Sequence, residues 1–195
     1  MMRALLDANV FFQTWTVDPL LSFADSEFFE PLWSDRILAE AREHLPEVWE
    51  RASASGVDRY LRLIDAAFPD ARVRGWEALE SSIRLADPDD RHVLAAAAAG
   101  RADVIVTWNL KHFPEPVLAP YRLRAVTPDD LLCELFAIDP DEAMTVMHSL
   151  VASKRRPPRT MREEIEHLRR IGDERFAALI EEHTTPDPDV YLEEE

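Results

Sequence analysis

The sequence is poor in glycine, in cysteine and in long apolar runs. Its 195 residues include four scattered glycines, which excludes the glycine-rich loops GxGxxG and GxxxxGK[ST] that bind dinucleotides and nucleotide phosphates. The one cysteine, Cys133, excludes a disulfide framework and a cysteine-based zinc site, and we expect it in the core. No stretch approaches the roughly 18–20 uncharged apolar residues of a membrane span, and the charged Asp7 inside the first apolar run argues against a signal peptide. We therefore expect a cytoplasmic protein without membrane segments.

Basic residues are also scarce, since 22 Lys and Arg stand against 38 Asp and Glu and give a net charge of −16. A protein that binds nucleic acid by charge alone has an excess of Lys and Arg over Asp and Glu. If this chain acts on nucleic acid, metal ions or a local basic patch must offset its charge. One such patch is the proline-broken segment SKRRPPRT, residues 153–160, which we call the basic connector. It is either a solvated linker or a contact for RNA or an acidic partner, made by Lys154, Arg155, Arg156 and Arg159.

Short apolar runs alternate with amphipathic helical patterns in the first part of the chain. We predict clear strands at 3–7 and 103–107, and weaker ones at 71–74 and 123–126. Helices are predicted between them at 37–49, 61–68 and 93–99, the last ending at Gly100, and another starts with Thr127 as N-cap and Pro128 in its first turn. This alternation predicts an α/β fold around a mainly parallel sheet.

After about residue 139 the strand patterns stop. Helices are predicted at 139–151, 161–171 and 173–182, the last two joined at Gly172. We therefore expect an α/β domain over residues 1–138, a helical C-terminal extension over 139–185 and an acidic, frayed tail over 186–195.

Polar residues follow the two clearest strands. Asp7 and Asn9 come at the end of the first, and Thr107 and Asn109 at the end of the second. The carboxyl ends of parallel strands form the ligand crevice of an α/β sheet, so these residues are candidates for a functional site. Taken singly, each of them is equally consistent with a turn or a helix cap.

Further acidic candidates lie on helices. In DPDD we expect Asp87 to be the N-cap of the alanine-rich helix, whereas Asp90 lies on the face that this helix buries, with Asp89 beside it. A carboxylate on a packing face is costly without a partner, and a cation is a natural one. Glu40 borders the apolar stripe of its helix, while Glu43 lies opposite the stripe. Oxygen ligands of this kind suit Mg²⁺ or Mn²⁺.

The histidines predict no rival site. His44 can form a surface pair with Glu40 on the same helix. Glu164 and His167 make one Glu-x-x-His step, whereas a di-iron bundle needs two.

Three segments in this order, LLDANVFF, WSDRILAEAREHL and DPDDRHVLAAAAAGRADVIVTWNLKHFP, resemble the PIN-domain ribonucleases, the fold of the VapC-type toxins of bacterial toxin–antitoxin pairs. The chain is most similar to a longer subgroup with a helical C-terminal extension. The resemblance implies a PIN-like three-layer domain, with helices on both faces of the sheet. It also implies metal-binding catalytic carboxylates at Asp7, Glu40 and Asp90, and catalytic residues Thr107 and Asn109 at the T-x-[DN] step. Because this step has Asn109 rather than Asp, three carboxylates remain instead of four.

The activity implied by this resemblance is Mg²⁺- or Mn²⁺-dependent hydrolysis of RNA by the toxin of a type II toxin–antitoxin system. Asn9, Asp87 and Asp89 would support the site, and the implied partners are an RNA substrate, a cognate antitoxin and a second copy of the chain. Two alternatives stay open. One is a catalytically degenerate PIN fold that only binds. The other is a haloacid-dehalogenase-like phosphatase, although that family has a second acid where this chain has Asn9.

Overall fold

The computed structural model describes residues 1–49, 53–155 and 157–184. Its strands are β1 (Met2–Leu6), β2 (Phe29–Ser34), β3 (Arg72–Val73), β4 (Val104–Val106) and β5 (Arg124–Val126). Its helices are α1 (Thr14–Asp25), α2 (Asp35–Val48), α3 (Ala54–Ala67), α4 (Glu77–Glu80), α5 (Arg91–Ala99), α6 (Glu115–Leu118), α7 (Pro128–Ile138), α8 (Pro140–Ser153), α9 (Met161–Ile171) and α10 (Glu174–His183). The tail at 186–195 and Arg156, both named in the sequence predictions, lie outside the described residues. No helix in the described part of the chain is long and apolar enough to cross a membrane.

The five strands form one parallel sheet in the order β3-β2-β1-β4-β5. The apolar strand β1 lies at its centre, with Leu5 opposite Leu32 of β2 and Leu6 opposite Val106 of β4. This confirms the predicted α/β fold with a parallel sheet. It also brings the ends of β1 and β4 side by side, because parallel neighbours end at the same edge.

The sequence analysis missed strand β2. Its sequence, FEPLWS, contains Pro31 and the exposed Glu30, which interrupt the apolar pattern of a buried strand. The strand tolerates proline because β3 pairs only with Trp33 and Ser34, so the first half of β2 has a neighbour on one side only.

Helix α5 packs against the centre of the sheet, on β1, β2 and β4. It ends at Gly100, as predicted, but not because that glycine has a left-handed backbone, since its φ is −73°. A Cβ atom there would lie 2.8 Å from the Val73 side chain and 3.1 Å from that of Leu32. Gly100 is therefore required by the close approach of helix and sheet.

The extension shares its core with the α/β domain. Helix α10 packs on α7, and the buried Phe176 makes edge-to-face contacts with Phe23 of α1 and Phe136 of α7. The hydroxyl of Thr16 donates to Asp173 at 2.7 Å, and the backbone amide of Phe176 donates to Asp129 at 2.8 Å. The two predicted units are thus joined by apolar packing and by buried hydrogen bonds.

Two helix caps of this region follow the predicted signals. Thr127, the predicted N-cap, accepts a hydrogen bond from the backbone of Asp130 in a capping box. Asp139, which was not predicted as a cap, accepts from the backbone amide of Glu142 at the start of α8. Gly172 ends α9 with φ +105°, a conformation that glycine adopts readily.

Two apolar residues of the predicted helices are exposed, and the expected burial of the cysteine was wrong. Val48, the last residue of α2, is 45% exposed, and Leu63, away from the buried face of α3, is 60% exposed. Cys133 is half-buried rather than part of the core interior.

Candidate active site

Asp7 lies at the carboxyl end of β1, beside β4, and its backbone amide donates to Val106 at 3.0 Å. The side chain is almost fully buried, at 5% exposure. Its Oδ1 accepts a hydrogen bond from the backbone amide of Ala8 at 2.7 Å, and its Oδ2 accepts from the Thr107 hydroxyl and from Asn9 Nδ2, both at 2.7 Å. These hydrogen bonds fix the carboxylate in one orientation.

Asn9 and Thr107 join the two strand ends into one network. Asn9 Nδ2 lies 2.9 Å from the Thr107 hydroxyl, and Asn9 Oδ1 accepts from the backbone amide of Trp108 at 3.1 Å. The Thr107 hydroxyl in turn accepts from the backbone amide of Asn109 at 3.0 Å. Asn109 therefore enters this network through its backbone, and the residue is exposed.

Two histidines hold the other predicted carboxylates. Glu40 on α2 has its Oε2 3.1 Å from Nε2 of His92, a residue with 2% exposure. Asp90, directly before α5, has its Oδ2 2.8 Å from Nδ1 of His112. Neither histidine was predicted from the sequence, and His44, predicted to pair with Glu40, lies with its Nδ1 3.3 Å from Glu47 instead. The sequence feature that could have indicated His92 is its position two residues after Asp90.

The three carboxylates interact electrostatically. Burial raises the pKa of Asp7 to about 6, against the opposing effect of hydrogen bonds from Thr107 and Ala8, and the charges of Glu40 and Asp90 raise it further. Burial also raises the pKa of Asp90, opposed by His112, and the charge of Glu40 adds to the increase. A cation placed among these groups would relieve their repulsion and their loss of hydration.

The tightest group of possible metal donors in the described residues is not Asp7, Glu40 and Asp90. It consists of Asp87, Asp90 and His112, whose donor atoms lie within 4.8 Å of one another. The oxygens and the imidazole nitrogen of these side chains fit a divalent cation. Glu40 and Asp90 lie near enough to Asp7 to raise its pKa, but in the described residues these three carboxylates do not form such a group.

Asp87 is not the N-cap of α5, contrary to the prediction. Its Oδ1 accepts from the backbone amide of Asp89 at 3.0 Å and closes a turn that precedes the helix. The helix begins at Arg91, with Asp90 in the cap position but without a capping side-chain hydrogen bond. The Asp90 carboxylate contacts His112 instead of its own backbone, and the exposed Asp87 places a second carboxylate oxygen near the same two side chains.

Two cations of the basic connector are held within the fold. Lys154 pairs with Asp18, and the guanidinium of Arg159 lies 3.5 Å from the centre of the Trp15 ring and 3.5 Å from the buried Glu164. Arg155 is exposed. The connector is therefore tied to α1 and α9 by two of its side chains.

Comparisons with known proteins agree with this architecture. The family model described as "PIN domain" matches residues 3–111, and the one described as "VapC50 C-terminal domain" matches residues 128–182. The chain is 46% identical over 71 residues to a protein of Mycobacterium tuberculosis (strain ATCC 25618 / H37Rv) named "Putative ribonuclease VapC50". That match covers 36% of this chain and 42% of the relative, so the chain spans less than half the length of the relative it matches. No solved structure matches the chain significantly. The PIN match covers more than half of the chain, and with the second match it shows that the protein belongs to the PIN-domain family, in the VapC-type group with a C-terminal extension.

Proposed function

We propose that this protein is a metal-dependent endoribonuclease that hydrolyses RNA phosphodiester bonds. The observation that carries the proposal is the carboxylate of Asp7, which is buried at the joint end of β1 and β4, fixed by hydrogen bonds and coupled to Glu40 and Asp90. Membership of the PIN family and the likeness to a relative named as a ribonuclease support it.

In this proposal Asp7, Glu40 and Asp90 would surround Mg²⁺ or Mn²⁺, and an ion bound there would make a water more acidic and stabilise the leaving oxygen. Thr107 and Asn9 hold Asp7 in one orientation, so the carboxylate does not have to reorganise when the ion and the phosphate bind. His92 holds Glu40 in a similar way. Without a bound cation these carboxylates would repel the phosphate of the substrate.

The test is cleavage of a structured RNA and of a messenger RNA by the purified chain, with Mg²⁺ or Mn²⁺ and with EDTA. We expect cleavage that EDTA abolishes, and a loss of at least about 100-fold in Asp7→Asn and Glu40→Gln. Glu47→Gln, an exposed position on the same helix as Glu40, is the matched control and should retain full activity.

Other outcomes would refute the proposal. Cleavage that persists in EDTA or in Asp7→Asn would contradict the assigned site. Turnover of a small phosphoester in place of RNA would favour the phosphatase alternative. RNA binding without cleavage under any metal condition would favour a degenerate PIN fold that only binds.

The same proposal assigns the chain as the toxin of a type II toxin–antitoxin pair that forms a homodimer. The match of residues 128–182 to the VapC50 C-terminal domain supports this assignment. Expression of the wild-type chain should arrest bacterial growth, Asp7→Asn should not, and co-expression of the adjoining reading frame should restore growth. Light scattering on the purified chain tests the dimer, and a monomer mass would refute that part.

The basic connector is proposed as an RNA-backbone contact. Since Lys154 and Arg159 have carboxylate partners, the exposed Arg155 and its sequence neighbour Arg156 are the better candidates. Changing both to Gln should reduce the slope of log binding constant against log salt by about two, without moving the cleavage position. The matched control Arg59→Gln lies outside the connector, and an equal slope in both proteins would make the connector a linker.

A further inference from the structure

Asp87, Asp90 and His112 form a mixed group of two carboxylates and one imidazole. His112 lies in the short turn after β4, and its Nδ1 is 2.8 Å from Asp90 Oδ2. The side chains of His112 and Asp90 are 27% and 22% exposed, so both are packed on one side and open to solvent on the other. We propose that these three residues bind the divalent cation directly, and that the imidazole makes the site prefer Mn²⁺ to Mg²⁺. This inference rests on the proposed function and concerns the ion that the same site takes.

The spacing of the donor atoms fits one ion. Donors about 2.1 Å from an octahedral ion lie about 3 Å apart when adjacent and about 4.2 Å apart when opposite. The 2.8 Å between His112 Nδ1 and Asp90 Oδ2 is the spacing of adjacent ligands. All three donors lie within 4.8 Å of one another, which is close to the distance between opposite ligands.

The surroundings supply further negative charge on the side of Glu40 and Asp7. The charges of Asp87 and Glu40 both act on Asp90, and those of Glu40 and Asp90 act on Asp7. A dication bound by Asp87, Asp90 and His112 would therefore be stabilised by two more carboxylates. Those two remain available for ligands bridged through water, as small divalent ions usually keep several waters.

The chemical type of the donor atoms determines which divalent ion binds more tightly. Mg²⁺ binds oxygen almost exclusively and gives up its waters reluctantly, whereas first-row transition metals accept imidazole nitrogen. A set of three carboxylates, as the resemblance to PIN ribonucleases implies, favours Mg²⁺ and Mn²⁺ alike. Replacing one oxygen donor by the imidazole of His112 raises the affinity for Mn²⁺ relative to that for Mg²⁺.

Titration calorimetry of the full chain with MnCl₂ and with MgCl₂ tests the proposal. Wild type should bind Mn²⁺ at least about 10-fold more tightly than Mg²⁺, and His112→Asn should lose about 10-fold or more in Mn²⁺ affinity but less than about 3-fold in Mg²⁺ affinity. Asp87→Asn should weaken the binding of both ions. His148→Asn, an exposed histidine on α8, is the matched control and should bind both ions as wild type does.

Pulsed electron paramagnetic resonance of bound Mn²⁺ gives a readout independent of affinity and of activity. Coupling to imidazole nitrogen should appear in wild type and in His148→Asn and disappear in His112→Asn. Absence of nitrogen coupling in wild type, or unchanged Mn²⁺ affinity in His112→Asn, overturns the proposal. If circular dichroism shows that His112→Asn does not fold, the wild-type nitrogen coupling and the loss in Asp87→Asn decide.

The proposed endoribonuclease activity and the proposed metal ligands can be refuted independently. Mn²⁺ binding with nitrogen coupling but no RNA cleavage would refute the endoribonuclease and leave the metal site standing. RNA cleavage supported equally by Mg²⁺ and Mn²⁺, without nitrogen coupling, would refute the imidazole ligand alone.

Discussion

Asp7→Asn should stabilise the metal-free protein at neutral pH and destabilise it in acid. Burial raises the pKa of Asp7 from 3.8 to about 6, so the folded protein holds this proton more tightly than the unfolded chain does. The stability that this group contributes is complete below about pH 4 and is lost as the pH rises through 6. A difference of about two pH units corresponds to a loss of about 3 kcal/mol above pH 6.

An asparagine at position 7 carries no charge, but it fits the hydrogen-bond donors around this side chain less well than the carboxylate does. The Asp7 carboxylate accepts from Ala8 on one oxygen and from Thr107 and Asn9 on the other, so an amide NH₂ must face a donor whichever way it turns. We estimate the cost of that mismatch at about 1 kcal/mol. Asp7→Asn should therefore be less stable than wild type by about 1 kcal/mol near pH 4 and more stable by about 2 kcal/mol above pH 6.5.

Urea denaturation in EDTA between pH 4 and 8, followed by circular dichroism, measures this difference. Asp70→Asn, at an exposed position, is the control and should differ from wild type by the same amount at every pH. A pH-independent difference for Asp7→Asn, or one that never favours the variant, would refute the argument that burial of a charged carboxylate is the dominant effect at this position.

Three further changes probe other parts of the molecule. Mn²⁺ at about 100 times its dissociation constant should stabilise wild type by about 2.7 kcal/mol in thermal unfolding, and Asp90→Ala should lose this response, so an equal shift in both proteins would contradict the site. Arg159→Ala should cost about 2 kcal/mol in urea denaturation, because it removes the ion-pair partner of the buried Glu164 and leaves Lys154 as a more weakly acting cation, and adding Glu164→Gln should restore most of it. If the double variant is no more stable than the single one, the pairing is not what Arg159 contributes. Gly172→Ala should cost about 1–2 kcal/mol, because φ there is +105°, and an unchanged urea midpoint would show that the turn relaxes freely.

The sequence predicted the strand ends and the helices of the extension well, because their signals are local. An apolar run that stops at Asp7 or Thr107 marks a strand end by itself, and Asp139 and Gly172 act on their own helices. Strand β2 could not be predicted in this way, since Pro31 is tolerated only because the neighbouring strand is short.

The rest of the candidate site depends on tertiary placement. His112 meets Asp90 only because the turn after β4 lies beside the start of α5, and nothing in either segment encodes that contact. Asp87 and Asp90 both suit a helix start, and the local pattern could not decide that Asp90 takes the cap position without a side-chain hydrogen bond to the helix backbone. The apolar face of α10 could be predicted from the sequence, but the contacts of its Phe176 with Phe23 and Phe136 could not.

The central position of β1 has a consequence for the growing chain on the ribosome. The Thr107 hydroxyl that orients Asp7 is synthesised 100 residues after it, and Asp173, the partner of Thr16, comes 157 residues after that threonine. Loop closure over such distances is slow, and it can begin only when the second partner has been made. A nascent chain that has not reached residue 173 therefore has Asp7 but not its full arrangement, and the proposed nuclease activity should arise only after that residue has been made.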